Sequence, residues 1–227
     1  ELNKNNLKEF FLKIKNREIN GVNITVPFKR DVISYVDQLS LEAEKTQSVN
    51  TVYLKNNKII GHNTDIDGFE LAIKDTNYDV EGKKVLVLGA GGVVPSVIFA
   101  LYKMRASSVT VSNRTKTKAE NLKNLFNDIE IVEWGEASNF DVIINATSIG
   151  LKKEDRLNLD FSKFQNSEFF YDVIYNPKET NFLRDGKSLG KKTENGKKMF
   201  IYQAAKAFKI WHGIEPKINE QITGLLD

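Results

Sequence analysis

Cysteine is absent from this chain of 227 residues, which excludes disulfide bridges, thiolate nucleophiles and cysteine-ligated metals. Histidine occurs only twice, too few for a convincing metal site, so no metal is expected. Neither sign of charge dominates. The 33 basic and 30 acidic residues leave a net +3, which calls for neither a nucleic-acid partner nor an anionic membrane but does not oppose a phosphorylated ligand. Long hydrophobic runs are missing too: the longest uncharged stretch, Val85 to Leu101, is broken by glycines and Pro95 and is no membrane span. With no signal peptide and no repeat in view, a cytoplasmic location is expected. What remains, 41% hydrophobic and 28% charged residues, is the composition of an ordinary globular protein with room for one large or two small domains.

The most informative stretch is KKVLVLGAGGVVPSVIFAL, from Lys83 to Leu101. Val85 to Leu88 show no polar alternation, as in a parallel strand covered on both faces. Gly89, Gly91 and Gly92 with Ala90 then form a turn almost free of Cβ atoms, where a pyrophosphate can approach the backbone and the N-terminus of the next helix. Pro95 falls in the first turn of that helix, where a missing N–H costs little. A second strand, Ser108 to Val111, ends in Ser112, Asn113, Arg114 and Thr115. NAD-binding folds usually carry an acidic residue here, roughly 20 residues past the glycines, to grip the ribose hydroxyls. Arg114 stands there instead, and a guanidinium suits a 2′-phosphate, so NADP is favoured over NAD.

From the start, Leu2 to Asn16 reads as an amphipathic helix, Gly21 to Val26 as a half-buried strand stopped by Pro27, and Phe28 to Val36 as a second helix. Leu41 to Thr46 is a short polar helix, and Val49 to Leu54 with Lys58 to Ile60 a hairpin over Asn56 and Asn57. Asn63 or Thr64 caps a helix beginning near Asp65, whose stretch from Ile66 to Lys74 is expected to bridge two domains. Thr115 to Phe126 reads as helix; Ile129 to Val132, Val142 to Asn145 and Phe169 to Ile174 as strands; Lys197 to Trp211 as a helix; and Ile218 to Leu226 as a weaker terminal one. This alternation implies an α/β fold with a mostly parallel sheet.

No Ser-His-Asp set is visible, so a dinucleotide enzyme needs a proton donor from elsewhere, and Lys29 and Asp65 are the candidates. Each lies near residues suited to holding a polyol, namely Asn23, Thr25, Asn50 and Asn63. Taken singly they have ordinary alternatives: a solvated lysine, helix-end electrostatics, a turn asparagine, an exposed Gln203. The combination is what resembles a known family, the shikimate dehydrogenases, along nearly the whole chain. GVNITVPFK is similar to that family's Asn-x-Thr-x-Pro-x-Lys element, SVNT to its Val-Asn-Thr, and NTDIDG to its Asn-Thr-Asp. GAGG, SNRT, NATSIG, DVIYNP with Thr180, and QAAKAFKIWHG follow in family order.

The resemblance implies two domains: a substrate domain over 1–65 completed by 197–227, and a Rossmann-like NADP domain over 66–196. It implies hydride transfer between NADPH and 3-dehydroshikimate, in the synthesis of chorismate and aromatic amino acids, with quinate activity or a non-catalytic cofactor-binding protein as the alternatives. Lys29 then resembles a catalytic lysine and Asp65 its carboxylate partner. Thr25, Asn50, Tyr175 and Gln203 resemble substrate contacts, and Gly89, Ala90, Gly91, Gly92, Asn113, Arg114, Thr115, Thr147 and Gly196 cofactor contacts. Four departures stand out. Thr46, Gln47 and Ser48 replace Ala-Gly-Ala; Lys197 and Lys198 replace Leu-Gly; Val94 and Pro95 follow the glycines; and the family's first strand with its Ser-x-Ser pair is not in this sequence. Covering of the bared edge of the Gly21 strand by a second copy, a homodimer, or by a rearranged segment is therefore expected, together with weak turnover of shikimate.

Overall fold

The computed structural model describes residues 3–136 and 139–226, and it divides them between two sheets. The first follows α1 (Leu7–Lys15), which buries Leu7, Phe11 and Ile14, one helical stripe. Leu2 lies outside the described residues. Strands β1 (Gly21–Asn23), β2 (Gln38–Leu39), β3 (Thr51–Lys55) and β4 (Lys58–His62) form a sheet in the order β1-β3-β4-β2, with α2 (Leu41–Thr46) following β2. Asn56 and Asn57, at φ 50° and 61°, make the turn of the β3–β4 hairpin, a conformation asparagine tolerates better than most residues. Val32, Ala43, Val49, Val52 and Ile59 join α1 in the core of this half.

Helix α3 (Asp65–Asp75) leads into the second sheet, built from β5 (Lys84–Leu88), α4 (Val94–Lys103), β6 (Ser108–Ser112), α5 (Lys116–Glu120), β7 (Glu130–Val132), β8 (Val142–Asn145), β9 (Phe169–Asp172), α6 (Asn181–Ser188) and β10 (Lys192–Glu194). The strand order is β10-β9-β8-β5-β6-β7 and every pair is parallel. This is the doubly wound dinucleotide-binding order, and it reverses between β5 and β8, where such sheets open a crevice at their carboxyl ends. Helices α7 (Lys197–His212) and α8 (Glu220–Gly224) close the chain.

Helix α7 touches both halves. Met199 near its start enters the core of the large sheet with Ile66, Phe69, Ala72 and Ile73 of α3, while Trp211 near its end donates Nε1–H to the Val52 carbonyl of β3 at 3.1 Å. Gly68 permits the close crossing of α3 and α7: a Cβ there would lie 2.7 Å from the Met199 carbonyl oxygen and 2.8 Å from the Gln203 Cβ.

Several elements differ from expectation. The strand at Gly21 pairs only as far as Asn23, and Phe28 to Val36 forms not an α-helix but a 3₁₀ segment, Asp31–Tyr35, whose β-branched Val32 and Ile33 resist helix. α5 stops at Glu120 and continues as 3₁₀ helix over Asn121–Asn124, whose two asparagines are poor α-helix formers. The terminal helix shrinks to Glu220–Gly224, and β9 ends at Asp172. β2, α6 and β10 appear where no element was expected.

Candidate active site

Lys29 follows β1 in a run of turns, and its carbonyl accepts the Val49 N–H at 2.8 Å, which fixes it beside the residue preceding Asn50. Its Nζ donates to Asp65 Oδ2 at 2.5 Å, with side chains only 14% and 8% exposed, so this is a largely desolvated ion pair. Asp65 is the first residue of α3, where the helix dipole favours a negative charge. Of the two capping candidates, Asn63 accepts the Asp65 N–H at 3.1 Å, while its amide nitrogen donates to the Thr46 and Ser96 hydroxyls at 2.9 Å each. Asn50 secures the other carboxylate oxygen: Nδ2 donates to Asp65 Oδ1 at 2.8 Å, and Oδ1 accepts the Thr64 N–H at 2.8 Å. Gln203 on α7 reaches the same amide at 3.5 Å. Lys29, Asp65, Asn50 and Gln203 thus form one hydrogen-bonded group between the two sheets. Thr25 stays outside it, exposed, with only its backbone engaged by Phe28.

A cleft of about 690 Å³ opens beside Lys29 and brings together Gly89, Ala90, Gly91, Gly92, Asn113, Arg114, Thr115, Thr147 and Tyr175. Gly89 has φ +113°, and a Cβ on it would press within 2.9 Å of the Ala146 carbonyl oxygen; the turn therefore needs glycine there. At Gly92 an added Cβ would meet nothing within 4 Å, so its bare backbone faces open space. Among the described residues, the N–H groups of Gly91, Gly92 and Val93 have no acceptor, and they stand at the N-terminus of α4. Unpartnered donors and a helix dipole at one point suit a pyrophosphate. Arg114 is exposed at the end of β6 and pairs with no carboxylate among the described residues, which leaves its charge for a ligand phosphate. The cleft's volume also suits a cofactor of dinucleotide size.

Behind the cleft wall lies a buried hydrogen-bonded chain. Asp172, fully buried at the end of β9, accepts from Thr180 Oγ1 at 2.6 Å, from the Ile174 N–H at 3.0 Å and from Asn145 Nδ2 at 3.1 Å. Asn145 Oδ1 in turn accepts from the Thr147 hydroxyl at 2.7 Å, so Thr147 shapes the loop with its side chain already engaged. Burial raises the Asp172 carboxyl to about 6, although the three donors pull it the other way. Gly196 does not line the cleft. It packs on the backbone just past β9, where a Cβ would collide with the Val173 carbonyl, so glycine is required for backbone approach. Tyr175 does line the cleft and stacks on Phe200 with ring centroids 4.8 Å apart. Of the departures noted in the sequence, Lys198 turns away to Asp75 at 2.8 Å, and Gln47 takes the left-handed conformation at φ 47° that closes α2.

Lys118 and Trp134 are among the lining residues that escaped the sequence reading. Lys118, on α5 and four residues past Arg114, lines the same space; a second cation so soon after Arg114 was the available signal. Trp134, just past β7, also lines the cleft; an aromatic residue beyond a parallel strand's carboxyl end was the available cue.

Fold and site together define a two-domain oxidoreductase that uses a nicotinamide dinucleotide on a CH–OH group. Comparison with known proteins makes this specific. The family models for the shikimate dehydrogenase substrate binding domain, shikimate / quinate 5-dehydrogenase and the shikimate 5′-dehydrogenase C-terminal domain match residues 1–52, 70–175 and 198–220. The chain is 54% identical to the NADP(+) shikimate dehydrogenase of Pelagibacter ubique, over 100% of this chain and 85% of that one. The Aquifex aeolicus shikimate dehydrogenase structure superposes with TM-score 0.87 at 37% identity, covering 100% and 84% of the two chains. That of Thermus thermophilus, in complex with NADP(H) and shikimate, gives 0.84 at 33%, covering 98% and 82%. The chain belongs to the shikimate dehydrogenase family. The same fold also serves a 5-ketofructose reductase of Gluconobacter, TM-score 0.88 at 31% identity over 100% and 84%, so the substrate has to be argued from the site.

Proposed function

We propose that this chain interconverts 3-dehydroshikimate and shikimate with NADP as its hydride carrier, in the cytoplasm, within aromatic amino-acid biosynthesis. The observation that carries the reading is the buried Lys29–Asp65 pair at the edge of a cleft that also holds the glycine turn and the unpaired Arg114. When bound, NADPH supplies the hydride to the substrate's ketone carbon. Lys29 Nζ holds the proton that the developing alkoxide takes up, and in the reverse direction the same nitrogen receives the hydroxyl proton. Asp65, fixed by Asn50 and Asn63, aims that nitrogen. Asn50, Gln203, Thr25 and Tyr175 hold ring hydroxyls; Gly89 to Gly92 with Thr147 take the pyrophosphate side of the cofactor; Asn113, Arg114 and Thr115 take the adenosine phosphate; Gly196 shapes the nicotinamide end. In this reading 1–65 with 197–227 form the substrate unit and 66–196 the cofactor unit.

Lys29→Ala, assayed spectrophotometrically with shikimate and NADP in the intact protein, is expected to lower kcat by about 100-fold or more with a smaller change in the shikimate KM. A variant that keeps its kcat and loses only affinity makes Lys29 a binding residue. Arg114→Ala is expected to raise the NADP KM by about tenfold to 100-fold, the loss of roughly 1.5 to 3 kcal/mol of charge-assisted hydrogen bonding, while that for NAD stays put. Equal effects on the two cofactors would count against the arginine as the reader of the phosphate. Turnover of quinate at the shikimate rate moves the assignment to the broader quinate/shikimate activity. The homodimer stays a proposal as well: β1 is an edge strand of its sheet among the described residues, and light scattering at twice the chain mass is the result it requires.

A further inference from the structure

We propose that Trp134 is the stacking platform for the adenine of the dinucleotide, so that this end of the cleft reads the base by an aromatic face while Arg114 reads the phosphate beside it. The proposal rests on the NADP reading above and adds a residue to it. β6 and β7 are parallel neighbours whose last registered pair is Ser112 with Val132. Arg114 lies two residues past Ser112 and Trp134 two residues past Val132, so the two leave the sheet at the same level on adjacent strands. Both line the cleft. A dinucleotide with its pyrophosphate on the β5 turn and its ribose phosphate at the end of β6 therefore carries its base to the neighbourhood of the end of β7.

The turn that carries Trp134 is built to hold it still. Glu133 is tied to both ends of the β6–α5 connection, its carbonyl accepting from Ser112 Oγ at the end of β6 at 3.1 Å and its carboxylate pairing with Lys116 at the start of α5 at 2.5 Å. The turn then closes on itself through the Glu136 N–H to the Glu133 carbonyl at 3.0 Å, with Gly135 at φ +82°. Behind it, the indole packs against the core cluster that contains Leu86, Leu88, Ile143 and Leu157. Half-buried and backed by aliphatic side chains, it presents an apolar surface to the cleft without losing much side-chain freedom on binding. Of the two flat rings of the dinucleotide, the purine is the one beside the phosphate that Arg114 reads, and its π-face matches the indole.

The sequence makes the test clean, because only two tryptophans exist and the other, Trp211, is held against β3. In a Trp211→Phe chain, whose emission comes from Trp134 alone, titration with adenosine 2′,5′-bisphosphate is expected to quench fluorescence to saturation; in Trp134→Phe, whose emission comes from Trp211, it is expected to leave emission unchanged. By calorimetry, Trp134→Ala is expected to bind the bisphosphate roughly tenfold more weakly, the scale of one lost base–aromatic stack. Trp134→Leu, which keeps the apolar contact to the cluster, is expected to fold as the parent does and show the same weakening. Leucine binding as tightly as tryptophan, or unquenched Trp134 emission at saturation, overturns the platform while leaving the NADP reading intact. A parent chain that ignores the bisphosphate altogether overturns both.

Discussion

Asn50 uses both ends of one amide on the start of α3, donating to the Asp65 carboxylate and accepting the Thr64 N–H. Removing it takes a hydrogen bond from a charged group and leaves a buried N–H without its acceptor. Asn50→Ala is therefore expected to lower the unfolding free energy by about 2 to 3 kcal/mol, read from urea titration, and to lower kcat because Asp65 loses its second anchor. Unchanged stability would show that water replaces the amide at no cost. Gln47 presents the opposite case. It ends α2 at φ 47°, a conformation that costs a residue with a Cβ about 1 kcal/mol and glycine nothing. Gln47→Gly is expected to gain up to about that much, less whatever the Gln47 Nε2 bond to the Glu44 carbonyl at 2.8 Å contributes. A lower melting temperature in the glycine variant would show the side-chain bond to be the larger effect.

Between elements, the crossing of α3 and α7 sets where Gln203 meets Asn50, and Gly68 sets the crossing. Alanine in place of a mid-helix glycine gains roughly 1 kcal/mol in helix propensity. Here its Cβ would stand 2.7 Å from a backbone carbonyl, which cannot swing aside as a side-chain end does. Overpacking of that kind costs about 1 to 3 kcal/mol, so Gly68→Ala is expected to destabilise on balance and to raise the KM for shikimate by displacing Gln203. A stabilised variant with normal kinetics would mean that the helices part freely.

Gly68 also illustrates what the sequence could not reveal, since a helical glycine is uninformative until its neighbour is known. β5 and β8 were legible because buried parallel strands are continuous aliphatic runs, β6 because Val109, Thr110 and Val111 are all β-branched, and α3 because its apolar spacing starts at a capping signal. β10, Lys-Thr-Glu, carries no such run and exists because β9 offers it a free edge. α6 was hidden by Gly186 and its charged residues, although Thr180 caps it by accepting the Leu183 N–H. The Lys29–Asp65 juxtaposition is likewise a property of the fold: the two residues are 36 apart in the chain, and family motifs rather than periodicity pointed to both. Trp134 went unseen because its cue, a place just past the carboxyl end of a strand, is also where a tryptophan that only packs on the core would stand.

At the scale of the whole molecule, Asp172 couples stability to pH. Its carboxyl is raised from 3.8 to about 6 by burial, so the native state holds this proton more tightly than the unfolded chain. Stability from this group is then fully present below about pH 4 and is lost as pH rises through 6. Between pH 5 and 7.5 the loss is about 1 to 1.5 kcal/mol, from 1.36 kcal/mol per unit. Other groups oppose it. Asp37, held low by the Ile59 N–H and Lys15, and His62, held low by burial, both contribute stability that disappears as pH falls. The net pH profile of the protein is therefore not diagnostic, but a difference profile is. Asp172→Asn carries no titrating group at that site and leaves Asp37 and His62 as they are. Urea titrations of parent and variant at pH 5 and 7.5 are expected to show the parent improving at pH 5, relative to the variant, by about 1 to 1.5 kcal/mol, whatever the fixed cost of the substitution. A difference that stays constant across the range would mean that the Thr180, Ile174 and Asn145 donors keep the carboxylate ionised throughout and that burial has lost to hydrogen bonding around Asp172.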